Sequence, residues 1–358
     1  MIRAACSPGE VRVAAEDGGR LIDVAIERAG SVHNVGDVHR GRVATRTPAL
    51  GGAFVAIGGT EGFLPDTAGG TASEGSVLTV RITRAPQGGK GPRLAAIDEP
   101  ASGPPGLLRR GPGAIERLAA LHPDADILID DPAVLAPLRP LHGARLHLVP
   151  RAFDDATDAG FDTLASRDID LPGGGRMSIH PTPALVAIDL DLGAGSATSG
   201  AKHRTHEAAN RAALPLLAAQ IRLRNLAGPI VVDLAGMTTK KRASLGPAFA
   251  EALAADPLAP RFLGFSALGL AEILRPRLHP PLHELLAGPH AAGLAGLRAL
   301  TRQAAAAPAM PLALHASPAI TTALQADPAA RADVQRLTGR PLILIEDRAT
   351  QSWRVEAA

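Results

Sequence analysis

Through the first thirty residues apolar positions recur with a period near two. Val11 and Val13 lie on one side of Asp17-Gly18-Gly19, and Leu21, Ile22, Val24 and Ile26 on the other. That period with a glycine turn predicts a β-hairpin. Two strands alone are marginal, so the hairpin is expected to join a sheet completed later in the chain. From Val35 to about Leu94 the pattern breaks into short strands at 36–43, 52–57, 62–65 and 76–83, each bounded by glycine or turn residues. Short strands so spaced predict a five-stranded Greek-key barrel of the OB type, a fold whose strand face suits single-stranded nucleic acid. The turn at Gly58-Gly59 brings Phe54 and Phe63 near each other; they either fill the barrel core or form a surface on which a base stacks. Residues 95–115, rich in Pro and Gly, read as a linker or loop.

Beyond this the pattern predicts a helix at 114–121, a strand at 126–130, a short helix at 134–141 and a strand at 145–149. A tight hairpin turn follows at Leu171-Pro-Gly-Gly-Gly-Arg176. The chain is then organised around 185–237. Leu185-Val-Ala-Ile-Asp189-Leu-Asp191 and Pro229-Ile-Val-Val-Asp233-Leu are apolar, β-branched runs that each deliver an aspartate where the run stops, the signature of buried strands. Between them Asn210 reads as the cap of a helix running to Leu226, with Gly228 just past its end. If the strands are neighbours, Asp189 and Asp233 stand side by side. Two such carboxylates repel unless a hard cation lies between them, and Mg²⁺ accepts one or two carboxylates plus waters. The other reading is that each aspartate caps a loop. Arg222 and Arg224 on the helix, and Lys240 and Lys241 in the run Thr238-Thr-Lys-Lys-Arg242, are candidate cations for a phosphate backbone, or else solvated faces. Lys202-His-Arg204 and His206 form a further basic stretch, expected as a loop and open to the same two readings. A helix at about 243–254 follows. The tail predicts helices at 291–307, 318–326 and 329–338 and strands at 310–315, 342–345 and 352–355.

Composition narrows the class. At 358 residues, 46% hydrophobic and 20% charged, the chain has room for two or three globular units. No apolar run approaches membrane-spanning length, and no signal-peptide core is visible. Cys6 is the only cysteine, so no intrachain disulfide forms, and a cytoplasmic setting is expected. A net charge of +2 permits a polyanionic partner without requiring one. Aromatics make up only 2%, which leaves base stacking to a few Phe residues.

The strings AIDLD, QIRLRNLAGPIVVDLAGM and FSALGLAEILRPRL resemble the catalytic core of the ribonuclease E/G endoribonucleases, and GGAFVAIGGTEGFLP resembles that family's barrel. The resemblance implies an α/β (α+β multidomain) fold. Its parts would be a ribonuclease H-like unit (1–34 plus 95–180), an inserted OB-fold barrel (35–94), a DNase I-like catalytic unit (181–285) and a small C-terminal domain (286–358). It implies a Mg²⁺-dependent endoribonuclease acting on single-stranded RNA, with Asp189 and Asp233 as metal ligands. Asp191 falls at the assisting position, where the family has Asn. Phe54 and Phe63 would hold a base, with Lys90 beside the RNA. Three features depart from the family. Gly236 stands where an Asp is usual, no Arg-Thr 5′-phosphate sensor is recognisable, and the zinc-link cysteines are missing. A short form is therefore expected, indifferent to the RNA 5′ end, with any homodimer held without zinc. The alternative is an inactive RNA-binding protein on the same scaffold.

Overall fold

The chain folds, in a computed structural model that describes residues 1–29, 33–69, 71–171, 174–192 and 202–358 (for 202–205 the backbone only), into two units. One comprises Met1–Arg40, Gly106–Ala159 and His283–Ala358, the other Gly41–Pro105 and Gly160–Leu282.

In the first unit the expected hairpin forms from Glu10–Asp17 and Arg20–Arg28, and its turn needs glycine because Gly18 (φ 53°) and Gly19 (φ 77°) are both left-handed. It joins a sheet in the order Leu146–Leu148, Ile127–Ile129, Ile2–Ser7, Glu10–Asp17, Arg20–Arg28, in which the first three strands run parallel and the last three antiparallel. Alternation sends Ile2, Ala4, Val13, Ala15, Ile127 and Ile129 to one face, where the helix Ala114–Leu121 covers them with Ile115 and Leu118. The tail builds its own core. The helices Gly288–Ala306, Pro318–Gln325 and Pro328–Thr338 pack on a three-stranded sheet ordered Ile343–Glu346, Leu312–Ala316, Trp353–Ala357. Glu10, 3% exposed, ties tail to hairpin: Arg12, Arg28 and Arg298 all donate to its carboxylate. Burial pushes this carboxyl up, but the three guanidinia together hold it below its usual range.

In the second unit Val38–Thr47, Gly52–Ala56, Glu61–Pro65, Arg93–Ala96 and Val77–Arg84 close a five-stranded barrel around Val43, Ala53, Val55, Leu64, Val80, Ile82 and Leu94. (Residues 38–40 of the first strand belong to the other unit.) The remainder is a six-stranded sheet ordered Asp168–Leu171, Gly175–Pro181, Val186–Asp191, Gly228–Asp233, Ala271–Arg275, Arg261–Phe265. Its central pair, Val186–Asp191 and Gly228–Asp233, is parallel and joined by the helix Lys202–Leu223. That helix and Gly246–Leu253 cover one face, burying Ile188, Leu190, Ile230, Val232 and Ile273 against Leu214, Leu217, Ile221 and Phe249. Among the described residues no helix is long and apolar enough to cross a membrane.

Four expectations are corrected. The hairpin Asp168–Pro181, expected with the N-terminal sheet, pairs instead with Val186–Asp191, because Met177 and Ile179 supply core residues opposite Leu190 and Ile188. Within 95–115, expected as loop, Gly106–Arg109 is a strand paired with Val38–Arg40. The central helix begins at Lys202 and not at Asn210, so 202–206 is helical backbone where a basic loop was expected. The side chains of Lys202, His203 and Arg204 lie outside the described residues, as do Pro172 and Gly173 of the hairpin turn.

Candidate metal centre and barrel surface

The period of two that buries Ile188 and Val232 turns Asp189 and Asp233 outward on the helix-free face. The two are register partners on neighbouring parallel strands, so their Cα atoms stand about 4.8 Å apart. Asp191, two residues further along its strand, is exposed on the same face. The Asp189 carboxylate has no hydrogen-bond partner among the described residues. Asp233 has one, Arg242, whose Nη1 donates to Oδ1 at 2.8 Å. Arg242, in the sequence one of three adjacent cations that could bind phosphates, instead organises the strand end. It also donates to the carbonyls of Leu234 (2.7 Å), Met237 (3.1 Å) and Gly269 (2.8 Å). Arg242 is 12% exposed and Asp233 53%, so the guanidinium is structural and its carboxylate partner reaches solvent. Among the described residues no group of three or more His, Cys, Asp or Glu could hold a metal ion. The candidate centre is thus a pair of hard oxygen donors facing water, which fits Mg²⁺ completed by waters. Lys240 and Lys241, on the exposed short helix Thr239–Arg242, remain available beside it.

Two side chains from the central helix fix the turn after Asp233. Asn210, expected as a cap, is buried in the helix interior and its Nδ2 donates to His206 O (2.8 Å) and Ala235 O (2.9 Å). Gly236 has φ 64°, and a Cβ there would lie 2.7 Å from the His206 ring. Glycine at this position therefore follows from two causes, a left-handed backbone and the imidazole laid against it. An Asp here would have to displace His206.

Arg222 and Arg224 do not join the site. The helix runs antiparallel to the strands it connects, so its last turn lies at the end of the sheet opposite the carboxylates. Arg222 donates to Ala255 O (2.7 Å). Arg224, 6% exposed, donates to Gln220 Oε1, Leu164 O, Ser166 O and Thr163 O, and burial pushes it down to about 10. A guanidinium wrapped in carbonyls offers nothing to a phosphate, which corrects its assignment as an RNA contact.

On the barrel Phe54 and Phe63 are register partners on the outer surface, half-buried, while Ala53, Val55 and Leu64 fill the core. Their rings meet edge to face at 5.5 Å, and Phe63 lies over Gly52, where a Cβ would come within 2.6 Å of Cζ. This geometry suits a stacking platform. Phe54→Ala or Phe63→Ala is expected to weaken single-strand binding by about 1–3 kcal/mol, read by fluorescence anisotropy, with little change in thermal midpoint. A midpoint drop without loss of affinity would return the pair to the core. Lys90 is exposed at the tip of a turn through Gly88 (φ 59°) and Gly89 (φ 70°), closed by Gln87 and Lys90 backbone hydrogen bonds of 3.1 Å. Arg109 and Arg110 lie in the first unit. Arg109 ends a strand, and buried Asp37 accepts from Gly111 N (2.8 Å) and Arg110 Nη1 (3.4 Å).

The six-stranded sheet thus presents a carboxylate pair and the barrel an aromatic pair. Residues 153–278 match the model of the Ribonuclease E/G family. The chain is 37% identical over 118 residues to ribonuclease E of Nostoc sp., covering 33% of this chain and 17% of that protein. It is 25% identical to ribonuclease E of Escherichia coli K12 over 79% of this chain and 37% of that protein, and 24% identical to ribonuclease G of the same organism over 78% and 80%. The chain thus spans well under half the length of these ribonuclease E proteins. Over residues 153–278 the chain is similar to the ribonuclease E/G family.

Proposed function

We propose that the chain is an endoribonuclease that hydrolyses phosphodiester bonds of single-stranded RNA with Mg²⁺ at Asp189 and Asp233. The observation that carries this reading is the in-register pairing of those two aspartates on the open face of the sheet. The bound ion would neutralise the scissile phosphate and lower the pKa of a water for in-line attack. Every other element belongs to the chain. Asp189 and Asp233 set the ion's position, and Arg242 fixes the Asp233 rotamer by holding one carboxylate oxygen. Asp191 would orient water or ligate the ion directly. Lys240 and Lys241 offset charge developing on the phosphate. Phe54 and Phe63 stack a base upstream or downstream of the cut, with Lys90 beside the strand. The five-stranded sheet of mixed direction and the six-stranded sheet support, as domains, the ribonuclease H-like and DNase I-like layout, with the small C-terminal domain as a dimerisation element that no thiolate zinc link joins. The working place would be the cytoplasm, in keeping with a lone cysteine.

A second reading, an RNA-binding protein without cleavage, draws support from the ion pair that Arg242 makes with Asp233 and from Asp191 in place of Asn. One assay separates the two. A single-stranded oligoribonucleotide incubated with the full chain should be cut with Mg²⁺ and left intact with chelator. Binding without cutting at any Mg²⁺ concentration would select the second reading.

A further inference from the structure

The barrel surface does not end at the two phenylalanines. Phe54 is the register partner of Phe63, Phe63 of Arg93, and Arg93 of Arg84, so the four stand in one row across four adjacent strands. Val55, Leu64 and Leu94, next to Phe54, Phe63 and Arg93, are core, which sends those three outside, and a register shift between Ile82 and Arg84 sets half-buried Arg84 opposite Arg93. A third arginine adjoins it. Ala85 N donates to Leu278 O at 2.8 Å, and this backbone bond pins the residue after Arg84 to the residue after Arg277. The Arg277 guanidinium lies over Gly228 (φ 83°), where any Cβ would strike it. The side chain of none of Arg84, Arg93 and Arg277 makes a hydrogen bond or ion pair among the described residues, and the buried Nε of Arg84 has no partner. Burial, followed by the charges of Arg93 and Arg277, pushes Arg84 below its ordinary value.

Three cations held together by backbone geometry, without a carboxylate among them, repel one another in the free protein. Surface arginines usually find an acid, as Arg46 does with Asp66 and Arg354 with Asp347. An arrangement that stays uncompensated is stabilised only when an anion arrives. Arginine forks match phosphate oxygens in pairs, and the site continues from an aromatic pair that suits a base. We propose that Arg84, Arg93 and Arg277 form a binding site for backbone phosphates of single-stranded RNA, collinear with the Phe54–Phe63 platform. This rests on the RNA-binding part of the proposed function and adds where the strand runs. From the base on Phe54 and Phe63 its backbone crosses the barrel along Arg93 and Arg84 to the rim of the sheet at Arg277.

The test uses the full chain with chelator, so that nothing is cut, and a short fluorescent oligoribonucleotide titrated at several salt concentrations. Arg84→Gln, Arg93→Gln and Arg277→Gln should each weaken binding several-fold at low salt. Each should also flatten the dependence of log K on log salt by about 0.7, and Arg348→Gln, an exposed arginine elsewhere, should do neither. Because each substitution removes like-charge repulsion, thermal midpoints should stay level or rise. Affinities and salt slopes equal to wild type in all three variants would overturn the phosphate site, as would falling midpoints with unchanged slopes. Phe54→Ala separates this failure from a failure of the RNA reading. If it weakens binding while the arginine variants do not, RNA is bound and the phosphates lie elsewhere. If the wild type binds no RNA, both readings fall.

Discussion

Asp189→Asn and Asp233→Asn are each expected to lower the cleavage rate by at least about a thousandfold, roughly 4 kcal/mol of barrier. The carboxylates are exposed, in register, and project near the ends of strands whose alternate residues are core. Replacing one by an amide keeps shape and hydrogen-bonding capacity but removes half of the anionic charge that would hold the ion. RNA affinity measured with chelator should hardly change, since the proposed binding surface is on the barrel. The two variants should differ in one respect. Asp233→Asn also removes the ionic partner of Arg242, so it should lose up to about 1 kcal/mol of stability, the usual worth of a half-exposed pair. Asp189→Asn, with no partner to lose, should not. Asp191→Asn should keep activity within a few-fold and shift the Mg²⁺ optimum. Near wild-type cutting by either Asp189→Asn or Asp233→Asn would remove the two-carboxylate centre.

The residues that were legible in the sequence are those whose position follows from local period. Asp189 and Asp233 were placed because a buried strand must end somewhere and both runs end on aspartate. Phe54 and Phe63 were paired because a Gly-Gly turn leaves few ways to connect two short strands. What was not legible depended on partners distant in sequence. Arg242 reads as the end of a basic run, and nothing local says that it turns back to Asp233, Leu234 and Met237 while its neighbours face solvent. Asn210 resembles a cap, because Asn favours caps, but tertiary burial against Ala235 overrides that preference. Gly236 looked like a missing carboxylate and is instead the space that His206 fills. The row of Arg93 and Arg84 beside Phe63 appears only once the parallel pairing of Glu61–Pro65 with Arg93–Ala96 is known.

Arg224→Leu is expected to destabilise the chain by at least about 3 kcal/mol, a midpoint drop of roughly 6–12 °C for a unit of this size. The segment QIRLRN is the most conspicuous basic string in the sequence, and the structure turns it into scaffolding. Gln220 accepts from Arg224 Nε at 2.7 Å and orients its guanidinium. The guanidinium then takes the carbonyls of Thr163, Leu164 and Ser166 at the end of the helix Asp155–Thr163, oxygens that the helix itself leaves unpaired. Asn225 holds His279 O and Pro280 O with its Nδ2, while its Oδ1 accepts from buried Arg275, which is paired with Asp256. One string thus ties three chain segments to the end of the sheet opposite the carboxylates. Leucine would fill much of the volume but leave the Leu164 and Ser166 carbonyls and the Gln220 amide oxygen without the donors that Arg224 supplies, while Thr163 O keeps Ser166 N. Lysine should rescue little, because one ammonium cannot span acceptors arranged for a planar fork. The protein that does fold should bind RNA with wild-type affinity and an unchanged salt slope. A selective loss of RNA affinity at an unchanged midpoint would return Arg224 to the RNA-binding surface.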